Sequence, residues 1–183
     1  MKDFQNGLTL IELLICIAVL SITFTLSAHS IPGWINHARL TSSLNNLVGV
    51  IQFAKAHAII EGESTTVCPI ATDGTCNRKY WGQSTVAFVD RNNNKALDSD
   101  EQVIRYVDKS SNKIMIRSSR DQIVFYGDGL LSSPISVYIC LFDHVSELSR
   151  GFTISLQGRI KSSKDKDKNG LHELNGNKEI RCT

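Results

Sequence analysis

The 183-residue sequence predicts an α+β protein, in which one long N-terminal helix packs on a largely antiparallel β head. Three observations predict this fold. Residues 8–28 contain a single charged side chain, residues 40–58 carry apolar side chains at spacings of three and four, and beyond Gly62 short alternating runs are separated by turn residues. A hydrophobic content of 42% at this length indicates one compact domain and excludes a disordered chain or a coiled coil.

The first element, residues 8–28, is long enough to cross a membrane, because an α-helix of this length would extend about 31 Å. A single-pass anchor and a secretory signal peptide are the ordinary interpretations, and Ser27 and Ala28 offer small residues for signal-peptide cleavage. Glu12 favours a third interpretation. A carboxylate inside a membrane helix is energetically costly, so it is expected to have a function and a partner.

The residues around Glu12 suggest that partner. A cut after Gly7 would create a new amino terminus at Leu8, and the α-amino group of a neighbouring subunit would then neutralise the carboxylate during assembly in the membrane. The stretch 7–12 resembles the type IV prepilin cleavage site, where a prepilin peptidase cuts after Gly and N-methylates the next residue, usually Phe and here Leu8. The resemblance implies a leader at residues 1–7, a transmembrane assembly helix at 8–28 in the bacterial inner membrane, and a periplasmic head.

The second half of the helix, residues 29–62, is amphipathic. Its apolar stripe consists of Leu40, Leu44, Leu47, Ile51, Ala54 and Ala58. Pro32-Gly33 predicts a kink near the membrane exit, because Pro removes a backbone donor and clashes with the preceding turn. Glu61-Gly62 predicts the end of the helix, with Gly62 in the left-handed cap position.

The head, residues 63–183, is predicted to be rich in strands and to end in a basic segment. The candidate strands are residues 65–68, 85–90, 102–107, 113–117, 122–126, 135–142, 152–156 and 179–182. Turn residues separate them and no crossover helix is evident between them, so the sheet is expected to be largely antiparallel.

Four of the five cysteines lie in the head, while Cys16 lies in the apolar helix as a small apolar residue. Cys68, Cys76, Cys140 and Cys182 allow three pairings, and an oxidising compartment favours disulfides. We favour Cys68–Cys76, which closes a short loop, and Cys140–Cys182, which ties down the C-terminus. A zinc site is the alternative, but the C-x-x-C spacing is missing.

Two polar loops carry part of the spacing of an EF-hand calcium loop. Counted from Asp90 to Glu101, the first places oxygen-bearing side chains at positions one, three, five, nine and twelve. Lys95 occupies position six, where the sharp turn requires Gly, and no helices flank the loop, so we favour a polar connection between strands. Residues 165–170 repeat the first half, but position twelve is Gly176, which favours a solvated turn. We therefore expect no cofactor.

The order of several head motifs resembles the GspH/FimT group of minor pilins and pseudopilins. These motifs are residues 66–69, Trp81-Gly82 ahead of residues 88–90, residues 123–127 and residues 152–159. The resemblance implies a pilin-like fold and a subunit that helps to initiate or cap a type IV pilus together with other major and minor pilins. A pseudopilin of a type II secretion system is the alternative.

We expect no enzyme, because the five histidines match no catalytic or metal-binding motif.

The C-terminal part of the head suggests a second partner. The whole chain has a net charge of +2, yet residues 150–168 contain six basic residues and two acidic ones. In the DNA-binding FimT proteins of natural transformation, a C-terminal G-R-x-R motif contacts phosphates, and residues 158–161 resemble it with Lys in place of the second Arg. The side chains that would contact double-stranded DNA, without reading bases, are Arg159, Lys161, Lys164, Lys166 and Lys168. A solvated loop surface is the alternative, because Asp165 and Asp167 interleave the lysines.

Overall fold

The fold is described from a computed structural model that covers residues 9–28, 31–71, 74–108, 112–142, 148–174 and 176–182. The chain divides into two compact units, Met1–His37 and Ala38–Thr183. The first contains helix α1, Leu10–Ala28, and the start of helix α2, Ile31–Glu61. Pro32 lies in the first turn of α2, where a missing N–H costs no intrahelical hydrogen bond.

Most of α2 belongs to the second unit and presents the predicted apolar stripe to the head. Leu40, Leu47, Ile51, Ala54 and Ala58 are all at most 4% exposed, and Leu44 packs against the same core. The helix ends as its sequence predicts. Gly62 has a φ of +69°, and its N–H donates to the carbonyl of Ala58 at 2.9 Å.

The described residues of the head form two four-stranded antiparallel sheets and a small hairpin. The strands are β1 Thr65–Pro69, β2 Thr85–Val89, β3 Val103–Val107, β4 Ile114–Ser118, β5 Ile123–Phe125, β6 Ile135–Leu141, β7 Arg150–Ile154, β8 Ile160–Ser162, β9 Glu173–Leu174 and β10 Lys178–Glu179. The first sheet has the order β3-β2-β1-β5, the second has the order β4-β6-β7-β8, and β9 pairs with β10. The predicted α+β class with antiparallel strands is confirmed.

The core joins α2 to both sheets. Leu47 of α2 shares one cluster of buried side chains with Phe125 of the first sheet and Phe152 of the second. The disulfides lie beside this core. Cys68 is bonded to Cys76 and Cys140 to Cys182, which are the two pairs favoured from the sequence.

The C-terminal region differs most from the sequence prediction. Of the candidate strand 179–182, only Glu179 lies in a strand, which is β10. The sequence pattern does not predict β8 or β9. Strand β8 carries one apolar side chain, Ile160, so it shows almost no strand pattern. It forms because it pairs with β7, where Ile160 lies opposite Ile154.

Candidate functional site

Helix α1 exposes an apolar surface. Ten large apolar side chains between Leu10 and Phe24 are 49–78% exposed. The hydroxyl of Ser21 donates to the carbonyl of Ile17 at 2.6 Å, so this polar group is satisfied within the helix. Among the described residues, no helix combines the length and the apolarity that are needed to cross a membrane.

Glu12 lies in the first turn of α1, where a carboxylate interacts favourably with the helix dipole. Its N–H donates to the hydroxyl of Thr9 at 3.3 Å, and Thr9 thereby acts as a cap for the helix. In the described part of the chain, no basic side chain forms an ion pair with the exposed Glu12 carboxylate. Gly7 and Leu8, the predicted processing residues, lie outside the described residues.

The predicted DNA-binding motif, residues 158–161, begins in the turn between β7 and β8 and continues into β8. Gly158 has a φ of +68°, a conformation that L side chains rarely adopt. The N–H of Gly158 donates to the carbonyl of Ser155 at 2.8 Å, and the N–H of Ser155 donates to the carbonyl of Arg159 at 3.1 Å. These bonds hold Arg159 at the end of a closed hairpin.

Lys55 of α2 binds the backbone of this hairpin. Its ammonium donates to the carbonyl of Gln157 at 2.8 Å and contacts that of Gly158 at 3.4 Å. A Cβ on Gly158 would lie 2.8 Å from the Lys55 Nζ, so the glycine also makes room for the lysine side chain. Lys55 therefore connects the helix to the turn that carries Arg159.

The five predicted DNA-contacting side chains are all exposed but lie in two places. Ile160 packs against the core, so its neighbours Arg159 and Lys161 point to the solvent side of the hairpin. Lys164, Lys166 and Lys168 belong to the loop between β8 and β9. Of the ion pairs formed by described residues, none involves any of these five.

Two further cations, Lys178 and Arg181, were not identified from the sequence. They line a cleft of about 720 Å³ beside the β9–β10 hairpin, together with the hydroxyl-bearing Ser136 and Tyr138. The Lys166 ammonium donates to Asn177 at 2.8 Å, and Asn177 also lines the cleft. The sequence gives little sign of them, because residues 169–177, which separate them from Lys168, contain no Lys or Arg.

The loop from Asp90 to Glu101 is held by its first residue. The Asp90 side chain is fully buried, and its two oxygens accept the N–H groups of Asn94 and Lys95, each at 3.1 Å. One of them also accepts the hydroxyl of Thr66 at 3.1 Å. Burial, with further repulsion from Asp90 and Asp98, raises the pKa of Glu101.

The second polar loop brings three carboxylates together. Asp165, Asp167 and Glu173 each offer an oxygen within 4.8 Å of the others, a distance range suited to a metal ion. An Asp165 oxygen accepts the N–H of Gly170 at 3.0 Å, and a Glu173 oxygen accepts that of Lys166 at 3.0 Å. The sequence favoured a solvated turn here, because position twelve of the calcium-loop spacing is Gly176 and not a carboxylate.

His172 lies beside this loop and against the buried Ser163. Its Nδ1 is 3.1 Å from the Ser163 hydroxyl, which also accepts the N–H of Gly151 at 2.9 Å. Burial lowers the pKa of His172, and the nearby Arg150 guanidinium lowers it further.

Two solved structures of one protein share this fold. The type IV minor pilin FimU of Pseudomonas aeruginosa is 19% identical in one crystal form, with 67% of this chain and 86% of that chain covered and a TM-score of 0.51. In a second form the identity is 18%, the coverage 70% and 95%, and the TM-score 0.51. The minor pseudopilin EpsH from the type II secretion system of Vibrio cholerae matches with 10% identity, coverage of 68% and 95%, and a TM-score of 0.46. No curated protein is significantly similar to the chain.

Two family models match the sequence. One, described as a prokaryotic N-terminal methylation motif, matches residues 2–28. The other, described as type II transport protein GspH, matches residues 43–158, which is more than half of the chain. The chain therefore belongs to the family of the type II transport protein GspH, within the group of minor pilins and pseudopilins that its motifs resemble.

Proposed function

We propose that this chain is a minor pilin that helps to initiate or cap a type IV pilus. The observation that carries the proposal is the apolar surface of α1 with its one carboxylate, Glu12, in a chain that has a methylation motif and a GspH head. An exposed apolar surface of this size needs a partner, and neighbouring pilin helices would provide one. In this proposal the inner membrane holds α1 before assembly, and the head lies in the periplasm.

Glu12 recruits the chain into the fibre. A prepilin peptidase cuts after Gly7, and the new amino terminus of one subunit then neutralises the Glu12 carboxylate of the next. Pairing the two charges removes the cost of keeping an isolated carboxylate in an apolar environment. Other major and minor pilins are the partners in this step.

Substitution of Glu12 tests the assembly role. Glu12→Gln is expected to block incorporation into fibres while the protein still inserts into the membrane, because only the charge is removed. Glu61→Gln, which removes another exposed carboxylate, at the end of α2, is the matched control. Sheared pili and membrane fractions are compared by immunoblot, and normal amounts of Glu12→Gln protein in the pili would refute the proposal.

We further propose that the head binds double-stranded DNA during natural transformation, through Arg159, Lys161 and the lysines of the β8–β9 loop. Support comes from the rigid hairpin that presents Arg159, from the exposure of all five side chains and from their freedom from the described ion pairs. Such contacts give weak, sequence-independent binding that depends on salt.

The test is a titration of the full chain in detergent with short duplex DNA at low and moderate salt. Arg159→Gln/Lys161→Gln is expected to weaken binding at least tenfold, while Arg78→Gln/Lys79→Gln, which removes the same two charges from an exposed site elsewhere, leaves it unchanged. Absence of binding at low salt would favour the alternative, a pseudopilin of a type II secretion system without DNA binding, to which the family description points.

A further inference from the structure

The loop between β8 and β9 has the dimensions of a calcium site. Oxygens of Asp165, Asp167 and Glu173 lie within 4.8 Å of one another. Calcium binds oxygen ligands at about 2.3–2.6 Å, so two oxygens on opposite sides of one ion are about 4.8 Å apart. All three carboxylates can therefore contact the same ion without a rearrangement of the loop.

A second observation concerns the hydrogen bonding of Asp165. Its Oδ1 is fully buried and has no hydrogen-bond partner, whereas its Oδ2 accepts the Gly170 N–H. A buried carboxylate oxygen without a partner destabilises a folded protein unless a donor or a cation satisfies it. Glu173, another member of the cluster, is only 5% exposed. The hydrogen bonds of the loop thus leave one buried Asp165 oxygen unsatisfied, although the nearby Arg150 guanidinium interacts with Asp165 electrostatically.

The backbone supplies the turn that such a site needs. Counted from Asp165, the loop has oxygen-bearing side chains at positions three and five and Gly170 at position six, with a φ of +89°. The Asn169 side-chain oxygen accepts the N–H of Leu171 at 2.8 Å, and its amide nitrogen donates to an oxygen of Asp167 at 3.0 Å. Glu173, at position nine, provides the carboxylate that position twelve lacks.

We propose that this loop binds one Ca²⁺ through the side chains of Asp165, Asp167, Asn169 and Glu173 and the backbone carbonyl of Leu171. Oxygen-only ligands of mixed charge favour Ca²⁺ over transition metals. The Lys166 ammonium points away to Asn177, so it does not occupy the position of the ion. The proposal does not depend on DNA binding, although bound Ca²⁺ would add positive charge beside Lys164, Lys166 and Lys168.

Calcium titration of the full chain in detergent, followed by calorimetry, tests this site. We expect one saturable site with a Kd of about 10⁻⁴–10⁻³ M, the range of extracellular calcium modules. Asp165→Asn and Asp167→Asn each keep the hydrogen-bond acceptors and are expected to weaken binding at least tenfold. Asp128→Asn, at an exposed carboxylate that accepts the Leu130 N–H at 2.9 Å, is the matched control and should leave the Kd unchanged.

Two results would overturn the proposal. One is the absence of saturable binding in the unsubstituted chain. The other is a Kd that is the same in Asp167→Asn as in the control; because Asp167 is exposed, this variant decides the matter even if Asp165→Asn fails to fold. Glu101→Gln identifies the loop, since lost binding in that variant together with retained binding in Asp167→Asn would assign the ion to residues 90–101 instead.

Discussion

At the scale of single residues, Gly127 in the turn after β5 lies directly against the backbone of Gly62, the residue that follows α2. A Cβ on Gly127 would overlap the carbonyl of Gly62, and neither backbone can move without displacing α2 or the turn after β5. Gly127 is therefore required for its lack of a side chain, since its own φ is ordinary. Gly62 is required for its left-handed conformation, which caps the helix.

We expect Gly127→Ala to lower the free energy of unfolding by about 1–3 kcal/mol, the usual effect of overpacking. The matched substitution Gly49→Ala lies within α2, where an added Cβ meets nothing within 4 Å. It should raise the free energy of unfolding by up to about 1 kcal/mol, because Ala is the better helix former. Urea unfolding of both variants provides the measurement, and equal effects would contradict this account of the contact.

His172 makes stability depend on pH. Its folded-state pKa lies below the unfolded value of about 6.5, so the folded state binds fewer protons in this range. The stabilisation is complete above pH 6.5 and is lost as the pH falls through the folded-state pKa. We expect the urea midpoint to drop between pH 7.5 and 5.5, and to drop less in His172→Gln than in His37→Gln. The same drop in both variants would show that His172 is not responsible.

Single residues also mark the limit of sequence reasoning at the candidate sites. Arg159 and Lys161 could be selected from their local motif, but Lys55 could not, because its contact with Gly158 spans 103 positions of the sequence. Glu173 was missed for a different reason: calcium-loop spacing places the acidic ligand at position twelve, which is Gly176, whereas Glu173 stands at position nine. Spacing along a chain predicts contacts within one turn or strand and carries no information on such distant partners.

At the scale of elements, the helices and strands with a clear apolar periodicity could be predicted from the sequence, and those without one could not. α2 has six apolar residues on one 3.6-residue period, and β6 alternates over its first five positions, so both were identified. Strands β9 and β10 have two residues each and no pattern of their own. They are held instead by Cys182 and the buried Ile180.

The two disulfides should therefore differ in what they stabilise. Loop-closure entropy predicts a loss of about 4 kcal/mol for Cys140→Ser/Cys182→Ser, where the sequence separation is 42, and about 2.6 kcal/mol for Cys68→Ser/Cys76→Ser, where it is 8. We also expect trypsin to cleave after Lys178 and Arg181 only in the first variant. Denaturant unfolding and mass spectrometry of the digests measure both effects, and equal losses of stability would argue against a loop-length mechanism.

At the scale of the whole molecule, the division into two units predicts that the head folds alone. Every side chain of the main core cluster comes from the unit Ala38–Thr183. We expect residues 38–183 to unfold cooperatively, at the same midpoint as the full chain in detergent. Thermal unfolding followed by circular dichroism tests this, and a clearly lower midpoint would show that residues before Ala38 contribute to the stability of the head.

The disulfide between Cys140 and Cys182 also has a mechanical consequence. A pull on the last residues of the chain passes through one covalent bond to β6, so β7, β8 and the β9–β10 hairpin bear none of the load. The segment between the two cysteines, with a sequence separation of 42, therefore cannot be stretched while the disulfide is intact. Reduction would release about 140 Å of contour length. The oxidised head is thus inextensible at its C-terminal end, under loads at which the reduced head would lengthen.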